Sequence, residues 1–502
     1  MINPSTNVSE CSQNALEILY LDWNILKCSI PKSLGRLTNL RRLDLSFNEL
    51  KGSIPKALGK LRSLQGLYLS FNQLNSSIPE SLGRLTALTQ MFMGLNQLTG
   101  PIPVSLGRLT SLRVFSVSSN LLNGIIPNSV GQVTKLHLLD ISENSLQGVV
   151  SEDHFANPRC LIFQLSSCKI GGGFPQWFRT QMNLEELVLS NASISGPLPR
   201  WLRLMPFIRV LDLSHNKLTG HLKNVPSVHK VRYEYGAKLL LQNNLFKGLI
   251  PRWLCTWTDL EVLDLSRNRL TGKIPKCLWN LSLDVMLLSS NRLSGVIPSS
   301  LDHNSSLRWL QLNDNNFSGE LPRDFGYFIN LKALDLGENS ISGNIPEWIG
   351  ENISLIALRL HKNNFVGKCK SKQLQILDLG HNNLTGSIPY CFGELDGMRW
   401  SLAYSFYVDL FGYGNMTQVL KGVALEYTKT LAFVLNMDLS SNKLVGEIPE
   451  ALTKLDELVG FWGIVGVLLL KKRWRHKLFI FTEEAIDKIY VVVAVRVLKM
   501  RR

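Results

Sequence analysis

Apolar and polar positions recur along this chain with a period of 24 residues. Such a fixed period marks a stacked-repeat architecture. Aligning LRRLDLSFNELKGSIPKALGKL (40–61) with LQGLYLSFNQLNSSIPESLGRL (64–85) sets the register. The last fixed polar position of each unit then falls at 24, 48, 72, 96, 120, 144, 168, 192 and 216. It resumes at 244, 268, 291, 315, 339, 363, 382 and 442. Fifteen of these seventeen positions are Asn, and the exceptions are Cys168 and Ala192.

The shared pattern, LxxLxLxxNxLxGxIPxxLGxL, predicts its own local structure. The LxL core reads as a short strand with leucines inward and intervening residues facing solvent. Strands of successive units pair into a long parallel sheet on the concave face. The repeated Asn satisfies backbone groups where the chain leaves the strand, one amide per unit. Ala192 has no such side chain, so water or backbone must replace it there. The Gly-x-Ile-Pro stretch is extended after a turn, because Pro lacks an amide donor and biases its predecessor toward extended geometry. No unit buries its own apolar face, so stacking makes the core. The expected fold is an α/β solenoid.

The register breaks between Asn382 and Asn442, which are 60 residues apart. The aromatic-rich stretch between them lacks the leucine pattern and reads as an inserted island. Residues 458–470, LVGFWGIVGVLLL, are uncharged and precede KKRWRHK. A helix of that length reaches about 20 Å, against roughly 30 Å for a bilayer core. It reads as a shortened transmembrane segment or as the hydrophobic last cap of the solenoid. Gly460, Gly463 and Gly466 recur every third residue and offer a small-residue face to another membrane helix. The expected organisation is therefore an incomplete amino-terminal region (1–15), a solenoid (16–389), an island (390–433), a last repeat (434–457), the apolar segment (458–470) and a basic cytoplasmic tail (471–502).

Charge changes this picture little. The net charge is +15, and residues 471–502 hold ten Lys/Arg against three Asp/Glu. A basic block after an apolar run suits a cytoplasmic membrane flank. With no recognised binding motif beside it, nucleic acid is not an expected partner. Eight cysteines include two pairs spaced by 22 residues, Cys255 with Cys277 and Cys369 with Cys391. Each pair spans about one repeat, so both are candidate disulfides in an oxidising compartment. No cysteine sits in a CxxC pair, and no metal or cofactor is expected. Nine Asn-x-Ser/Thr sequons, at Asn7, Asn75, Asn191, Asn280, Asn304, Asn316, Asn352, Asn383 and Asn415, are glycosylation candidates. The opening MINPSTNVSECSQ has no basic start and no apolar core. Either the chain begins inside a longer product, or the extracellular reading fails.

The LTGxIP form of the unit resembles the plant-specific class of extracellular leucine-rich repeats. KGVALEY in the island, MDLSSNKLVGEIP after it and the tail GFWGIVGVLLLKKRWRHKLFIF resemble plant receptor-like proteins, nearest to fungal-xylanase receptors and their disease-resistance relatives. The resemblance implies an extracellular solenoid at the plasma membrane, one transmembrane helix and no kinase. It also implies recognition of a microbial or endogenous peptide or protein ligand, with signalling through leucine-rich-repeat receptor kinases as adaptor and coreceptor. Lys421, Gly422, Glu426 and Tyr427 match the family's island motif, which implies a role in presenting that segment to ligand or coreceptor.

Two columns of residues read as solvent-facing strand positions, Trp23, Phe47, Phe71 and Leu95 in one and Tyr20, Asp44, Tyr68 and Phe92 in the other. The aromatic stripe they make over the first four units is a candidate ligand-binding site, or a surface on which the rings cover one another. Independent catalysis is not expected. His215, His361 and His381 fall in separate repeats and read as solvated surface residues. No phosphate loop, HRD or DFG element follows the apolar run. The alternative functions are a secreted inhibitor of a microbial cell-wall hydrolase and a non-signalling decoy.

Overall fold

The computed structural model describes residues 16–148, 160–205, 208–226, 236–299, 306–352, 354–366, 374–390 and 436–454, with 154, 392 and 395 and the backbone of 416–420 and 423–427. The chain divides into two compact units, one of residues 1–343 with 360–364 and the other of 344–359 with 365–502.

In the first unit, three-residue strands stack in parallel at one per repeat. Ile18–Tyr20 pairs with Arg42–Asp44, that strand with Gly66–Tyr68, and the ladder continues to Ala333–Asp335. The partners are 24 residues apart wherever the sequence register is regular, as in Leu43↔Leu67 and Leu187↔Leu211. Where the sequence lengthens, between Asn216 and Asn244, the strand pairing follows, with Leu211 opposite Leu239. The inward residue of each strand is a core residue. Leu43, Leu67, Met91, Leu187, Leu211 and Leu263 are all at 0% exposure. Truncating one buried leucine to alanine in such a core costs about 2–5 kcal/mol.

The opposite side holds two features that the hydrophobic pattern does not display. The segments after most ladder positions pair in parallel into further sheets, in one of which Lys51–Ser53 pairs with Gln73–Ser77, and that strand with Gln97–Gly100. Beyond these strands, the proline of most units opens a 3-10 turn, beginning with Lys32–Arg36 after Pro31 (φ −67°, ψ 133°). The fixed φ of proline suits this entry. The helical part of the α/β reading is carried by these 3-10 turns and by the short α-helix Trp348–Glu351.

The Asn positions form a continuous ladder. Asn48 Nδ2 donates to Leu21 O in the preceding repeat (2.8 Å) and to Leu45 O (3.3 Å) and Ser46 O (3.0 Å) in its own. Its Oδ1 accepts the amide of Leu26 (3.0 Å). Asn120 repeats this set with Met93 O, Val117 O, Ser118 O and the Leu98 amide. At the first exception, Cys168 Sγ donates to Ile141 O (3.5 Å), the acceptor an Asn would use. At the second, the backbone substitutes: the Ile170 amide donates to Ala192 O (3.1 Å).

In the second unit, Ala357–Arg359 pairs with Ile376–Asp378, and that strand with Asn436–Asp438. Ile376 thus lies opposite Asn436, 60 residues on. Asn442 Nδ2 reaches Leu379 O (2.9 Å) across 63 residues of sequence. Between these strands, Met416–Leu420 and Val423–Tyr427 form an antiparallel hairpin. In the short repeat, the Phe365 amide donates to Asn382 Oδ1 across only 17 residues (3.1 Å). Among the described residues, no helix is long and apolar enough to cross a membrane. The segments 458–470 and 471–502 lie outside the described residues.

The ladder makes a direct prediction. Asn120→Ala takes one donor from each of three carbonyls, which keep Asn96, Asn144 and the Leu95 amide, and leaves the Leu98 amide without its acceptor. It should lower stability by about 1–3 kcal/mol. Asn120→Cys, which keeps one donor as Cys168 does, should lose less. Urea unfolding of both variants beside the parent checks the order.

Candidate ligand-binding face

The outward positions of the first unit's sheet are set by the strand pleat. Leu19, Leu43 and Leu67 form the middle of their strands, so the flanking residues project from the sheet. Tyr20, Asp44, Tyr68 and Phe92 close their strands as the sequence implies. Trp23, Phe47, Phe71 and Leu95 do not belong to the strands. They occupy the turn that follows, in left-handed backbone with φ of 51°, 51°, 56° and 54°. The same conformation recurs before every ladder position, for example at Ser119, Glu143, His215, Arg267 and Lys362. No residue in that column is β-branched, because Val, Ile or Thr is sterically penalised there. The Asn amide holds the turn, since its Nδ2 bonds the carbonyls two and three residues back.

This turn orients the aromatic rings. Trp23 stacks on Phe47 with centroids 4.0 Å apart and planes 7° from parallel, and Phe47 on Phe71 at 4.1 Å and 14°. In the second column, Tyr68 stacks on Phe92 at 5.5 Å. Self-packing does not hide the rings, for Trp23 remains 74% exposed and Tyr20 52%. Polar groups sit among them. Arg42 Nη1 donates to Tyr20 Oη (3.1 Å), and Tyr68 Oη donates to Gln90 Oε1. Burial pushes the Tyr68 phenol up, so it remains a protonated donor. The face is thus apolar rings with a guanidinium and phenols at fixed places, an arrangement suited to gripping a peptide backbone and its apolar side chains.

Further along the same sheet the equivalent positions are half-buried, as at Asp140, Gln164 and Asp212, and then buried, as at Asp264, Trp309, Gln311 and Asp335. His361, expected as a solvated surface residue, is also buried, and its Nε2 contacts Glu338 Oε1 (3.1 Å). It lies two places before a ladder Asn, where the chain already curls inward. Burial pushes the Glu338 carboxyl up, but Lys362 and His361 outweigh it, leaving a net downward shift.

Models for a leucine-rich repeat region match residues 4–206, and leucine-rich-repeat models match 237–293 and five further segments between 207 and 455. Receptor-like protein 38 of Arabidopsis thaliana is 50% identical over 48 residues, 9% of this chain and 6% of that protein. Receptor-like protein 7 of Arabidopsis thaliana is 54% identical over 39 residues, 8% of this chain and 4% of that protein. The chain belongs to the leucine-rich-repeat proteins, and these stretches are similar to plant receptor-like proteins. The aligned stretches span only a small part of these relatives' length. Among solved structures, PEPR1–AtPEP1 superposes with a TM-score of 0.66 at 29% identity, over 87% of this chain and 60% of that one. The Arabidopsis receptor kinase HAESA ectodomain, in complex with an extended IDA peptide hormone, gives a TM-score of 0.65 at 30% identity, covering 87% and 72%. HAESA with IDA and the co-receptor SERK1 gives 0.65 at 28%.

Within this leucine-rich-repeat chain the other sequence candidates are distributed as follows. Cys255 and Cys277 form a disulfide between neighbouring 3-10 turns, with Cα atoms 5.7 Å apart. Cys369 and Cys391 lie outside the described residues. Cys160 and Cys168 are buried free thiols, and burial pushes Cys168 up to about 12. Asn75, Asn191, Asn280 and Asn316 are exposed, and Asn383 is half-buried. Asn352 is a poor glycan acceptor, at 9% exposure with its Oδ1 accepting the Ser354 amide (2.9 Å). The sequon alone does not reveal that its side chain caps a turn. Asn7, Asn304 and Asn415 lie outside the described residues, as do Lys421, Gly422, Gly460, Gly463 and Gly466. Glu426 and Tyr427 end the island hairpin strand. Among the described residues, no group of His, Cys, Asp and Glu is arranged to hold a metal ion.

Burial pushes the Asp264 carboxyl up to about 6, against hydrogen bonds from Ser266 and with added repulsion from Asp212. The folded chain then holds this proton more tightly than the unfolded chain does. Its contribution to stability is full below the ordinary carboxylate range and is lost as pH rises through about 6. Thermal midpoints measured from about pH 4 to pH 7 should fall more in the parent than in Asp264→Asn, which keeps an acceptor for Ser266.

Proposed function

We propose that this chain acts as a cell-surface receptor-like protein. It binds a microbial or endogenous peptide or protein ligand on the open part of its sheet and signals through partner receptor kinases. The reading rests foremost on the exposed Trp23–Phe47–Phe71 stack beside Tyr20, Tyr68 and Phe92. Large rigid rings held by a backbone turn lose little entropy on binding, which makes them good anchors. The structural neighbours add support: HAESA is seen with the IDA peptide hormone and with the co-receptor SERK1. The plasma-membrane placement of a single-pass protein, with an extracellular and glycosylated solenoid, belongs to the same proposal. The exposed sequons and the Cys255–Cys277 disulfide favour it.

Two measurements test the proposal. In the first, the chain is expressed in plant cells and treated with a glycosidase that accepts fucosylated plant glycans. A downward mobility shift is expected, and its absence would count against an extracellular solenoid. In the second, a panel of secreted plant and microbial peptides is screened against the purified chain. Trp23→Ala with Phe71→Ala should weaken any genuine binder by about thirtyfold, the effect of losing one strong anchor. Unchanged affinity would move the site off this face.

A further inference from the structure

On the side of the first unit away from the strand sheet, four consecutive 3-10 turns lie side by side: Lys32–Arg36, Lys56–Lys60, Glu80–Arg84 and Val104–Arg108. The penultimate residue of each is a buried glycine. A Cβ at Gly35 would stand 2.4 Å from Ala57 O, one at Gly59 2.4 Å from Ser81 O, and one at Gly83 2.3 Å from Ser105 O. Neighbouring turns therefore touch through their backbones. The residue after each glycine is held in a column with one member per repeat, and these four are Arg36, Lys60, Arg84 and Arg108. All four are exposed. Units joined through a parallel sheet repeat at about 4.8 Å, so the column is a row of cations at that order of spacing.

The fold does not require cations there. The same place in later turns holds Gln132, Thr180, Leu204, Thr256 and Asn280. Nor are the charges neutralised internally. Among the described ion pairs none includes these four residues. The nearby acid, Glu80, accepts the Ser105 amide (3.2 Å). Arg62 adds a fifth cation by donating to Arg84 O (3.0 Å). Like charges at adjacent positions repel, a cost that a bound polyanion of matching spacing would offset.

The surroundings narrow the polyanion. Residues 27–40, 51–64, 75–88 and 99–112 contain no Phe, Tyr or Trp, so nothing there would stack on bases as single-stranded nucleic acid requires. Val104 is the exposed large apolar side chain of these turns, too little to insert into a lipid surface. We infer that the Arg36–Lys60–Arg84–Arg108 column binds a linear polyuronate, a polysaccharide carrying one carboxylate per sugar ring. This site is independent of the sheet face, and its failure would leave the ligand reading untouched.

The test uses the full purified chain and a fluorescently labelled oligogalacturonate of defined length, read by anisotropy. Binding is expected to weaken steeply with salt. The fourfold variant R36Q, K60Q, R84Q and R108Q should lose affinity at least about tenfold, with an unchanged thermal midpoint. A charge-matched control, K217Q, K247Q, R269Q and R292Q, should stay near the parent. The fully methyl-esterified oligomer should not bind. The inference is overturned if the parent fails to bind, if both variants weaken alike, or if the esterified oligomer binds equally well. It is also overturned if a single-stranded oligonucleotide or an anionic phosphatidylserine vesicle displaces the oligogalacturonate from the column.

Discussion

Every repeat of this solenoid strands backbone groups where the chain turns out of its strand, and one side-chain amide answers for them. An Asn such as Asn48 joins three carbonyls and one amide, and two of its four partners belong to the preceding repeat. Local geometry and stacking therefore depend on the same atom pair. The buried leucines supply the larger driving force, but they are non-directional and would tolerate a slipped register. The amide does not tolerate slippage, because its acceptors lie at fixed offsets. Cys168 and Ala192 show how the demand is met when the amide is missing, by a thiol donor in one case and by a backbone carbonyl in the other.

The same amide borders the candidate binding face. By bonding the carbonyls just behind it, Asn braces a turn whose left-handed residue aims its side chain out of the sheet, a turn the repeat also makes before Cys168 and Ala192. In the first repeats the residue so aimed is aromatic, and one ring lies flat upon the next. The ladder and the stacked rings are thus joined at adjacent residues. Where these positions hold Ser, Glu or Arg, as at Ser119, Glu143 and Arg267, the same turn presents polar chemistry.

Much of the fold was legible because period and amide place are both written in residue types. The three irregular repeats, the 60-residue jump and the ladder exceptions all stand in the sequence and reappear as strand pairings and hydrogen bonds. The left-handed turn was not legible. A strand continued to the Asn and a strand ended four residues earlier share one apolar pattern, and only the absence of β-branched residues marks the difference. The further parallel sheets escaped for a similar reason, since their bonds are made by backbone and Gly-x-Ile-Pro reads equally as a loop. His361 and Asn352 were misread because a residue type carries no record of the neighbours that bury it. The basic column did lie in the sequence, as the Arg or Lys of LGRL and LGKL, but its meaning needed the touching turns that align it.

Asn442 meets Leu379 as Asn120 meets Met93, although 63 residues separate the first pair and 27 the second. The joint between repeats is blind to how much chain lies between its halves. A stretch of any length can enter or leave at such a boundary without disturbing the packing on either side. Lineages of this architecture are therefore free to lengthen, shorten and recombine at these seams, gaining new surfaces while inheriting an unaltered core.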